Sequence, residues 1–384
     1  MIAREGDGMR ILSYEYRDLR PARWKFPKVD LGTLNLIVGD SGAGKTRFLN
    51  TLFNLGRNVA GKRNHLLAGN WKIRLEQNGN IYRWEVRIDP KQTGNPVVRK
   101  ELLVNEFDQE TPIVKRDGTK FLFNGASLPK LSRENTSIEL LQDEDLIRPL
   151  YDGFGKVLRR DFSKDGLSKY ILYEVTPRDL LEQVVQELEQ LFRMNLGLNS
   201  KLHILKKNFP EVYQRVCSHY LELFPFVEEI AIRDVQNIKL QINVDSLGIS
   251  PVFAIKEKQV DNWIPVPELA SGMQKALLIL ADIYSFPDGV IYLIDEYENS
   301  MGVSVIDFLS DCLDELDKDI QVILTSHHPY VINQIPIENW IVFHRDGSEV
   351  TARYGENNVK HYGRSKQQQF IQLINDPFYN RGLE

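Results

Sequence analysis

The feature that most constrains this chain is a glycine-rich loop between an apolar run and a helix-like segment. The apolar run spans residues 34–38, and Arg47 opens the helix-like segment. The eight residues between the run and Arg47 end in a lysine and a threonine: they are Gly39, Asp40, Ser41, Gly42, Ala43, Gly44, Lys45 and Thr46. A strand, a loop of this composition and a helix in this order form a phosphate cradle, because glycines let backbone N–H groups turn toward phosphate oxygens.

The last two residues of this loop have specific chemical roles. Lys45 is placed to reach the β- and γ-phosphates, and the Thr46 hydroxyl is placed to ligate Mg²⁺ where the helix begins. The sequence therefore predicts a site for a nucleoside triphosphate and Mg²⁺, formed by residues 39–47.

Composition places the chain among ordinary globular proteins. It has 384 residues, 42% hydrophobic and 26% charged, and a net charge of −5. The length predicts two domains or one elaborated domain. No apolar run reaches 18 residues and the N-terminal residues lack the apolar core of a signal peptide, so we expect a cytoplasmic protein without membrane contact.

Charge and cysteine content exclude other classes of site. The negative net charge does not indicate a general nucleic-acid-binding surface, and we interpret the local basic clusters as solvated faces. These clusters are Lys115 with Arg116, Arg159 with Arg160, and Lys206 with Lys207. Cys217 and Cys312 are far apart in sequence and lack metal-ligand spacing, which indicates two buried thiols rather than a disulfide or a zinc site.

Hydrophobic periodicity divides the chain into four parts. Residues 1–134 contain strands, a helix after the phosphate loop that ends at Val59, and a hairpin at residues 71–88 with period-two alternation. Residues 135–228 shift to a period near 3.6, with one helical stripe over residues 180–191 and another over 212–223. Strands return at 229–232 and 238–244, and strands and helices alternate from residue 289. We predict an N-terminal lobe (1–134), a helical insertion lobe (135–228), a C-terminal lobe (229–350) and a tail (351–384).

The C-terminal lobe contains fully apolar strands, which are typical of a parallel sheet covered on both faces. One of them, residues 290–294, ends in Asp295 and Glu296. An acidic residue at the tip of a strand beside a phosphate loop can hold the Mg²⁺ shell, and a neighbouring carboxylate can activate water. Asp295 is therefore the candidate metal-side residue and Glu296 the candidate general base.

Two further motifs complete the pattern. Residues 269–274, Leu-Ala-Ser-Gly-Met-Gln, open an apolar helix, and residues 325–329, Thr-Ser-His-His-Pro, follow the apolar strand 321–324. With the phosphate loop, the long insertion and the Asp-Glu strand end, this order resembles the ABC-type ATPases. It is most similar to the branch that contains SMC-like, recombination-mediator and OLD-type proteins, many of them AAA-type ATPases of bacterial anti-phage defence.

The resemblance implies a fold and a composite site. The fold is an α/β P-loop NTPase head of the ABC type, with a mixed sheet, an antiparallel β subdomain and a helical insertion lobe. In that family, the signature loop of one subunit closes on the ATP of another. Carried over, Ser271 and Gly272 approach the γ-phosphate in trans, and His327 senses it in cis.

The resemblance also implies a glutamine that touches Mg²⁺ or water between the lobes. Gln142 is the candidate, and Gln109 is a weaker rival. The signature departs from the family at Ala270, where serine is usual. Either the loop still donates through the Ser271 hydroxyl or the Gly272 N–H, or it activates weakly in trans and hydrolysis is slow. Arg17 or Trp24 could stack on the adenine, although a core position suits Trp24 better.

Three functions remain open. The first is an ATPase that dimerises on ATP, assembles further with copies of itself, and acts as sensor or scaffold of an anti-phage system with a separate effector, most simply a nuclease; it resembles the ATPase components of PARIS-type and Septu-type defence. The second is a DNA-repair ATPase that clamps duplex DNA. The third is a nucleotide-binding interaction module with negligible turnover.

Overall fold

The chain, seen in a computed structural model, is described here at residues 8–20, 23–62, 66–107, 111–162, 181–234, 251–298, 305, 308, 311–312, 318–355 and 366–380. It divides into two compact units. The first comprises Met1–Arg160, Asp288–Tyr297 and Lys318–Glu384, and the second comprises Asp161–Pro287 and Glu298–Asp317. The second unit begins at Asp161, whereas the predicted helical insertion lobe begins at residue 135. It also continues to Pro287, past the predicted boundary between residues 228 and 229.

A 14-stranded mixed sheet organises the first unit. In chain order its strands are β1 (Arg10–Arg17), β2 (Lys25–Asp30), β3 (Leu34–Gly39), β4 (Gly69–Gln77), β5 (Asn80–Asp89), β6 (Val97–Asn105), β7 (Val114–Asp117), β8 (Lys120–Phe123), β9 (Ala126–Ser127), β10 (Val157–Asp161), β14 (Val290–Asp295), β15 (Ile320–Thr325), β16 (Trp340–Asp346) and β17 (Glu349–Tyr354). Their order across the sheet is β10-β14-β15-β3-β16-β17-β2-β1-β4-β5-β6-β7-β8-β9.

The first unit also contains helices. They are α1 (Lys45–Val59), α2 (Ser137–Leu140), α3 (Arg148–Gly155), α8 (Pro329–Gln334), α9 (Lys366–Asn375) and α10 (Pro377–Asn380). The last two lie in the predicted tail, and α10 packs on β16.

The apolar strands form the parallel part of the sheet. Strands β14, β15, β3 and β16 pair in parallel, and every residue of β14 and β15 is buried. Gln321 is polar within this run, yet its amide donates to the carbonyls of Ile11 and Gly32 and its oxygen accepts from the Ile11 N–H, so its burial is satisfied. The predicted α/β class with a mixed sheet is confirmed.

The predicted hairpin forms the antiparallel part of the sheet. Strands β4 and β5 pair from Gly69 with Ile88 to Gln77 with Asn80. The connection is the two residues Asn78 and Gly79, with φ of 50° and 70°. Positive φ at both positions matches the twist of two-residue hairpins, which explains why Asn-Gly stands there.

The second unit combines helices with a three-stranded antiparallel sheet. Its helices are α4 (Leu188–Arg193), α5 (Leu198–Asn208), α6 (Pro210–Leu223) and α7 (Ser271–Ser285), and its strands are β11 (Val227–Asp234), β12 (Pro251–Glu257) and β13 (Trp263–Pro265). Helix α7 is buried almost all round, and Lys201 of α5 pairs with Asp282 of α7 at 2.7 Å.

One predicted helix is wrong in part. The stripe over residues 180–191 suggested a continuous helix, but residues 183–187 are not helical and α4 begins only at Leu188. The Val185 N–H donates to the Asn208 side chain instead of to a helical carbonyl. The predicted strand 238–244 lies outside the described residues, and residues 305, 308, 311 and 312, in the part of the chain where alternating strands and helices were predicted, are helical.

Two other sequence interpretations can be compared with the fold. Cys312 is buried as expected, whereas Cys217 is half-buried, and neither cysteine forms a disulfide. Across the described residues, none of the helices has the length and apolar character needed to cross a membrane.

An aromatic cluster fixes α1 against the sheet. Phe48 packs edge-on against Tyr14 at 5.2 Å, Phe343 at 5.3 Å and Phe26 at 5.6 Å between ring centroids. The Tyr14 hydroxyl donates to Thr51 at 2.8 Å, so its buried O–H is satisfied. These contacts position the N-terminus of α1, which carries the phosphate loop.

A buried ionic cluster fixes α2 beneath the antiparallel strands. Glu101 accepts bonds from the Ser137 backbone and hydroxyl and from the Trp84 indole, and Arg116 lies 3.8 Å from its carboxylate. Burial raises the pKa of the Glu101 carboxyl, although these hydrogen bonds and the Arg116 charge oppose the rise. The prediction that Arg116 belongs to a solvated face is wrong, whereas its neighbour Lys115 is exposed.

We expect Glu101→Ala to lower the free energy of unfolding by about 3 kcal/mol, because it leaves the buried Arg116 charge uncompensated and buried donors without an acceptor. The matched control is Glu85→Ala on the same hairpin, which removes an exposed pair with Arg83 and is expected to cost less than about 1 kcal/mol. Urea denaturation measures both values. Equal, small losses would contradict the structural role of the Glu101 cluster.

Candidate nucleotide-binding site

The candidate site lies where three parallel strands end side by side. Strand β15 pairs with β14 on one side and with β3 on the other, and the last residue of β15, Thr325, is in register with Ile37 of β3. The loop after β3 and the tips of β14 and β15 therefore meet at the carboxyl edge of the sheet. Ligands of open α/β sheets bind at this edge.

The loop after β3 is preorganised for phosphate. The Lys45 ammonium donates to the carbonyls of Gly39 at 2.7 Å and Asp40 at 3.1 Å, which curls the loop around its end. Helix α1 has Gly44 at its N-cap, with no side-chain cap and no acidic residue in its first turn. The first turn of α1 therefore places no acidic side chain of its own at the positive end of the helix dipole, and its backbone N–H donors fit a bound phosphate chain.

Two glycines in the loop are required by geometry. Gly44 has φ of 100°, and a β-carbon there would lie 2.8 Å from the Trp24 ring. A β-carbon on Gly39 would lie 2.6 Å from the carbonyl oxygen of Phe343. The loop can therefore pack against β16 and Trp24 only with hydrogen as the side chain at these positions.

Asp295, at the tip of β14, is brought to the phosphate loop as predicted. Its side chain is almost fully buried, and its Oδ1 accepts from the Thr46 hydroxyl at 3.1 Å and the Thr325 hydroxyl at 2.7 Å. A hydroxyl and a carboxylate in contact at the start of a helix are the oxygen ligands that Mg²⁺ takes in triphosphate sites. Thr46 and Asp295 therefore fit the metal that the phosphate loop implies.

Thr325 ties the two acidic residues together, a role that sequence reasoning did not assign. Its hydroxyl donates to Asp295 and also accepts from the backbone N–H of Glu296 at 3.0 Å. The signal was its place in the Thr-x-His-x-Pro motif at the end of an apolar strand. Because one hydroxyl serves both neighbours, the orientation of Asp295 and the backbone of Glu296 are coupled.

Glu296 itself adopts a left-handed backbone conformation, with φ of 53°. This region is sparsely populated by residues other than glycine, asparagine and aspartate, and costs of order 1 kcal/mol or more. Such strain clusters at functional sites. The Glu296 side chain is half-buried.

Arg159 also reaches Asp295, and this contradicts its interpretation as part of a solvated face. Its guanidinium donates to Asp295 Oδ2 at 2.8 Å, and its side chain is only 12% exposed. Its neighbour Arg160 is buried as well. No sequence signal distinguished Arg159, because its role depends on β10 lying beside β14.

Trp24 lies beside the phosphate loop rather than in the core. Its half-buried ring stacks on Phe26 at 6.0 Å, and the guanidiniums of Arg47 and Arg345 lie over it at 4.7 Å and 5.1 Å. Arg47, predicted to bind phosphate, is thus directed to Trp24 and toward Asp18, 3.8 Å away. The alternative candidate, Arg17, is exposed at the end of β1.

The two histidines after β15 have different positions. His327, the candidate γ-phosphate sensor, is exposed. His328 caps α8, because its Nδ1 accepts from the Tyr330 N–H at 3.2 Å.

The signature residues lie in the second unit, at the N-terminus of α7. Ser271 is exposed and Gly272 half-buried, and the helix has no side-chain cap because Ala270 stands at the N-cap. The Gln274 amide donates to the carbonyls of Val266 and Pro267, which holds the preceding loop. The N-terminus of α7 thus presents backbone N–H donors, and its first turn contains no acidic side chain.

Gln142 is not brought to Thr46 or Asp295. It follows the short helix α2, whose Glu139 lies against Gly61, just beyond the C-terminal end of α1. The 15 residues of α1 span about 22 Å, so this end is far from Thr46. Among the described residues, no hydrogen bond joins Gln142 to Thr46 or Asp295, and the rival Gln109 lies outside them.

Comparisons with known proteins agree with a nucleotide-binding site of an ATPase. Residues 177–333, less than half of the chain, match the family described as "AAA domain, putative AbiEii toxin, Type IV TA system". A search of curated proteins found no match. The match and the phosphate-loop geometry support an ATPase of the AAA or ABC type.

Two solved structures are similar over most of the chain. The first, described as "SmcHead bound to the C-winged helix domain of ScpA", is 12% identical, with a TM-score of 0.49, and the alignment covers 91% of this chain and 99% of that one. The second, an Smc head domain with an extended coiled coil bound to the C-terminal domain of ScpA derived from Pyrococcus furiosus, is 14% identical, with a TM-score of 0.48 and coverage of 96% and 100%.

Gly44→Ala is expected to lower the free energy of unfolding by about 1 to 2 kcal/mol, because alanine is strained at this φ and its methyl group would displace Trp24. Gly155→Ala, at the end of α3, is the matched control: a β-carbon there meets nothing within 4 Å, and we expect a neutral or slightly stabilising effect. Thermal unfolding separates the two variants. A Gly44→Ala protein as stable as the Gly155→Ala protein would disprove the described loop conformation.

Proposed function

We propose that this chain binds ATP with Mg²⁺ at the end of β3 and hydrolyses it. The observation that carries the proposal is the hydrogen bond between Thr46, in the first turn after the phosphate loop, and Asp295, at the tip of a neighbouring parallel strand. Together they place a hydroxyl and a carboxylate beside an uncapped helix N-terminus. A phosphate loop alone supports binding, and the acidic strand end beside it supports hydrolysis.

In this proposal different residues bind the phosphates, hold the metal and activate the attacking water. The backbone N–H groups of residues 39–47 and the Lys45 ammonium bind the phosphates, and Thr46 and Asp295 hold the metal. When bound, Mg²⁺ neutralises charge on the phosphate oxygens. Glu296 orients the attacking water and takes its proton, and Thr325 sets the Glu296 backbone by accepting its N–H. His327 is exposed at the same edge, where it can meet the γ-phosphate.

The site is completed by a second copy of the chain. Ser271 and Gly272 of that copy would donate to the γ-phosphate from the N-terminus of α7, which lacks a side-chain cap. Ala270 offers no hydroxyl there, so the contribution in trans comes from Ser271 and the backbone. This arrangement favours an ATP-dependent dimer with slow turnover.

In this proposal the ATPase serves a bacterial anti-phage system, as a sensor or scaffold that holds a separate effector such as a nuclease. The description of the matched family, which speaks of a toxin and a Type IV TA system, supports a role of this kind. The net charge of −5 suits a protein partner better than DNA.

Glu296→Gln is expected to reduce ATP hydrolysis by about 100-fold or more while ATP still binds, because the amide cannot take a proton from water. Dimers should then accumulate in ATP, which light scattering after gel filtration detects. Lys45→Ala is the companion variant and should lose ATP binding while keeping its melting temperature. A parent protein without ATP turnover, whose nucleotide occupancy and size are the same as those of Glu296→Gln, would favour the interaction module instead.

The scaffold role predicts that ATP does not confer duplex-DNA binding. Fluorescence anisotropy with a labelled duplex, at low and high salt and with ATP or ADP, measures this directly. We expect no saturable binding at physiological salt. ATP-dependent binding that weakens steeply with salt would replace the scaffold role with the DNA clamp.

A further inference from the structure

The Asp295 carboxylate is shared between two kinds of donor. Its Oδ1 accepts from two neutral hydroxyls, those of Thr46 and Thr325, whereas its Oδ2 accepts from the Arg159 guanidinium at 2.8 Å. The first pair fixes the orientation of the carboxylate. The second contact places a full positive charge at the oxygen that the hydroxyls leave open.

This ion pair is shielded from solvent. The side chains of Arg159 and Asp295 are 12% and 3% exposed. A charge-assisted hydrogen bond of this length is stronger than a neutral one, and it is screened less by salt than a surface pair. Removing one member of a buried pair leaves the other charge uncompensated, so the pair resists separation unless another cation takes its place.

The position of Arg159 is set by the sheet and not by a loose loop. It lies in the middle of β10, which is the neighbour of β14, the strand that ends in Asp295. The start of β10 is fixed as well, because Val157 packs on Gly56 of α1. The guanidinium therefore reaches the carboxylate from a defined direction.

We propose that Arg159 is an internal counter-ion that competes with Mg²⁺ for Asp295. The inference rests on the proposed ATP site. A guanidinium at Oδ2 and a divalent metal bound to the same carboxylate would repel each other, so the two would occupy Asp295 in turn. Without metal, Arg159 neutralises Asp295 and adds positive charge next to Thr46, where phosphate would bind.

This competition has two measurable consequences. Removing Arg159 leaves Asp295 without its cation, so the site binds a divalent metal more tightly. Removing it also takes positive charge from the metal-free site, so nucleotide binding without metal weakens. Both effects increase the dependence of nucleotide affinity on Mg²⁺.

The first test measures the Kd of a fluorescent ATP analogue, mant-ATP, in Mg²⁺ and in EDTA. The ratio of the Kd in EDTA to that in Mg²⁺ should rise about tenfold or more in Arg159→Gln, on the scale of a hydrogen bond to a charged group. Arg159→Lys, which keeps the charge, should give an intermediate ratio. Arg83→Gln, which breaks an exposed arginine–carboxylate pair on β5, is the matched control and should leave the ratio unchanged.

The second test uses Mn²⁺ alone, followed by electron paramagnetic resonance, and needs no nucleotide. Arg159→Gln should bind Mn²⁺ more tightly than the parent protein, and an Asp295→Asn change on top of it should remove the gain. Should Arg159→Gln not fold, Arg159→Lys carries both tests, since its single ammonium is a weaker hydrogen-bonding partner for Oδ2.

Different results would overturn the counter-ion role and the proposed ATP site. An unchanged Kd ratio and unchanged Mn²⁺ affinity in folded Arg159 variants would overturn the counter-ion role while the ATP site stands. Absence of mant-ATP binding to the parent protein would overturn the proposed function, and the Mn²⁺ measurement would then still decide the role of Arg159.

Discussion

The hydrogen bonds that converge on Asp295 are the interaction on which the rest of the site depends. Through Thr46 and Thr325 this carboxylate connects the helix after β3 with the tips of β14 and β15. A carboxylate that is almost fully buried persists only when its lone pairs are used, so the three elements must keep their positions for Asp295 to be accommodated. The chemistry of the site and its local stability therefore share the same contacts.

Packing contacts outside the site hold α1 and the phosphate loop in position. Phe48 and its aromatic neighbours hold α1 on the sheet, and the close approach of Gly39 to β16 sets where the loop begins. The strained backbone of Glu296 is tolerated because its N–H is bonded to Thr325 and because Tyr297, the next residue, is fully buried. These contacts hold the loop after β3, the tip of β14 and Thr325 together at one edge of the sheet.

The parts that could be predicted from sequence are those with short, local causes. The loop at residues 39–46, the Asn78-Gly79 hairpin and the buried strands β14 and β15 all follow from residue spacing within a few positions. The relations that could not be predicted join distant segments: Arg159 meets Asp295 only because β10 pairs beside β14, and Gln142 is carried to the far end of α1. The stripe at 180–191 failed because Asn208 offered Val185 a different hydrogen bond.

The central claim, that this chain binds ATP at a preformed site between the ends of β3, β14 and β15, is tested most directly by isothermal titration of the parent protein with ATP and Mg²⁺. We expect saturable binding with one nucleotide per chain, competed by ADP. Absence of saturable binding, by a protein whose circular dichroism and cooperative unfolding show that it is folded, would contradict it.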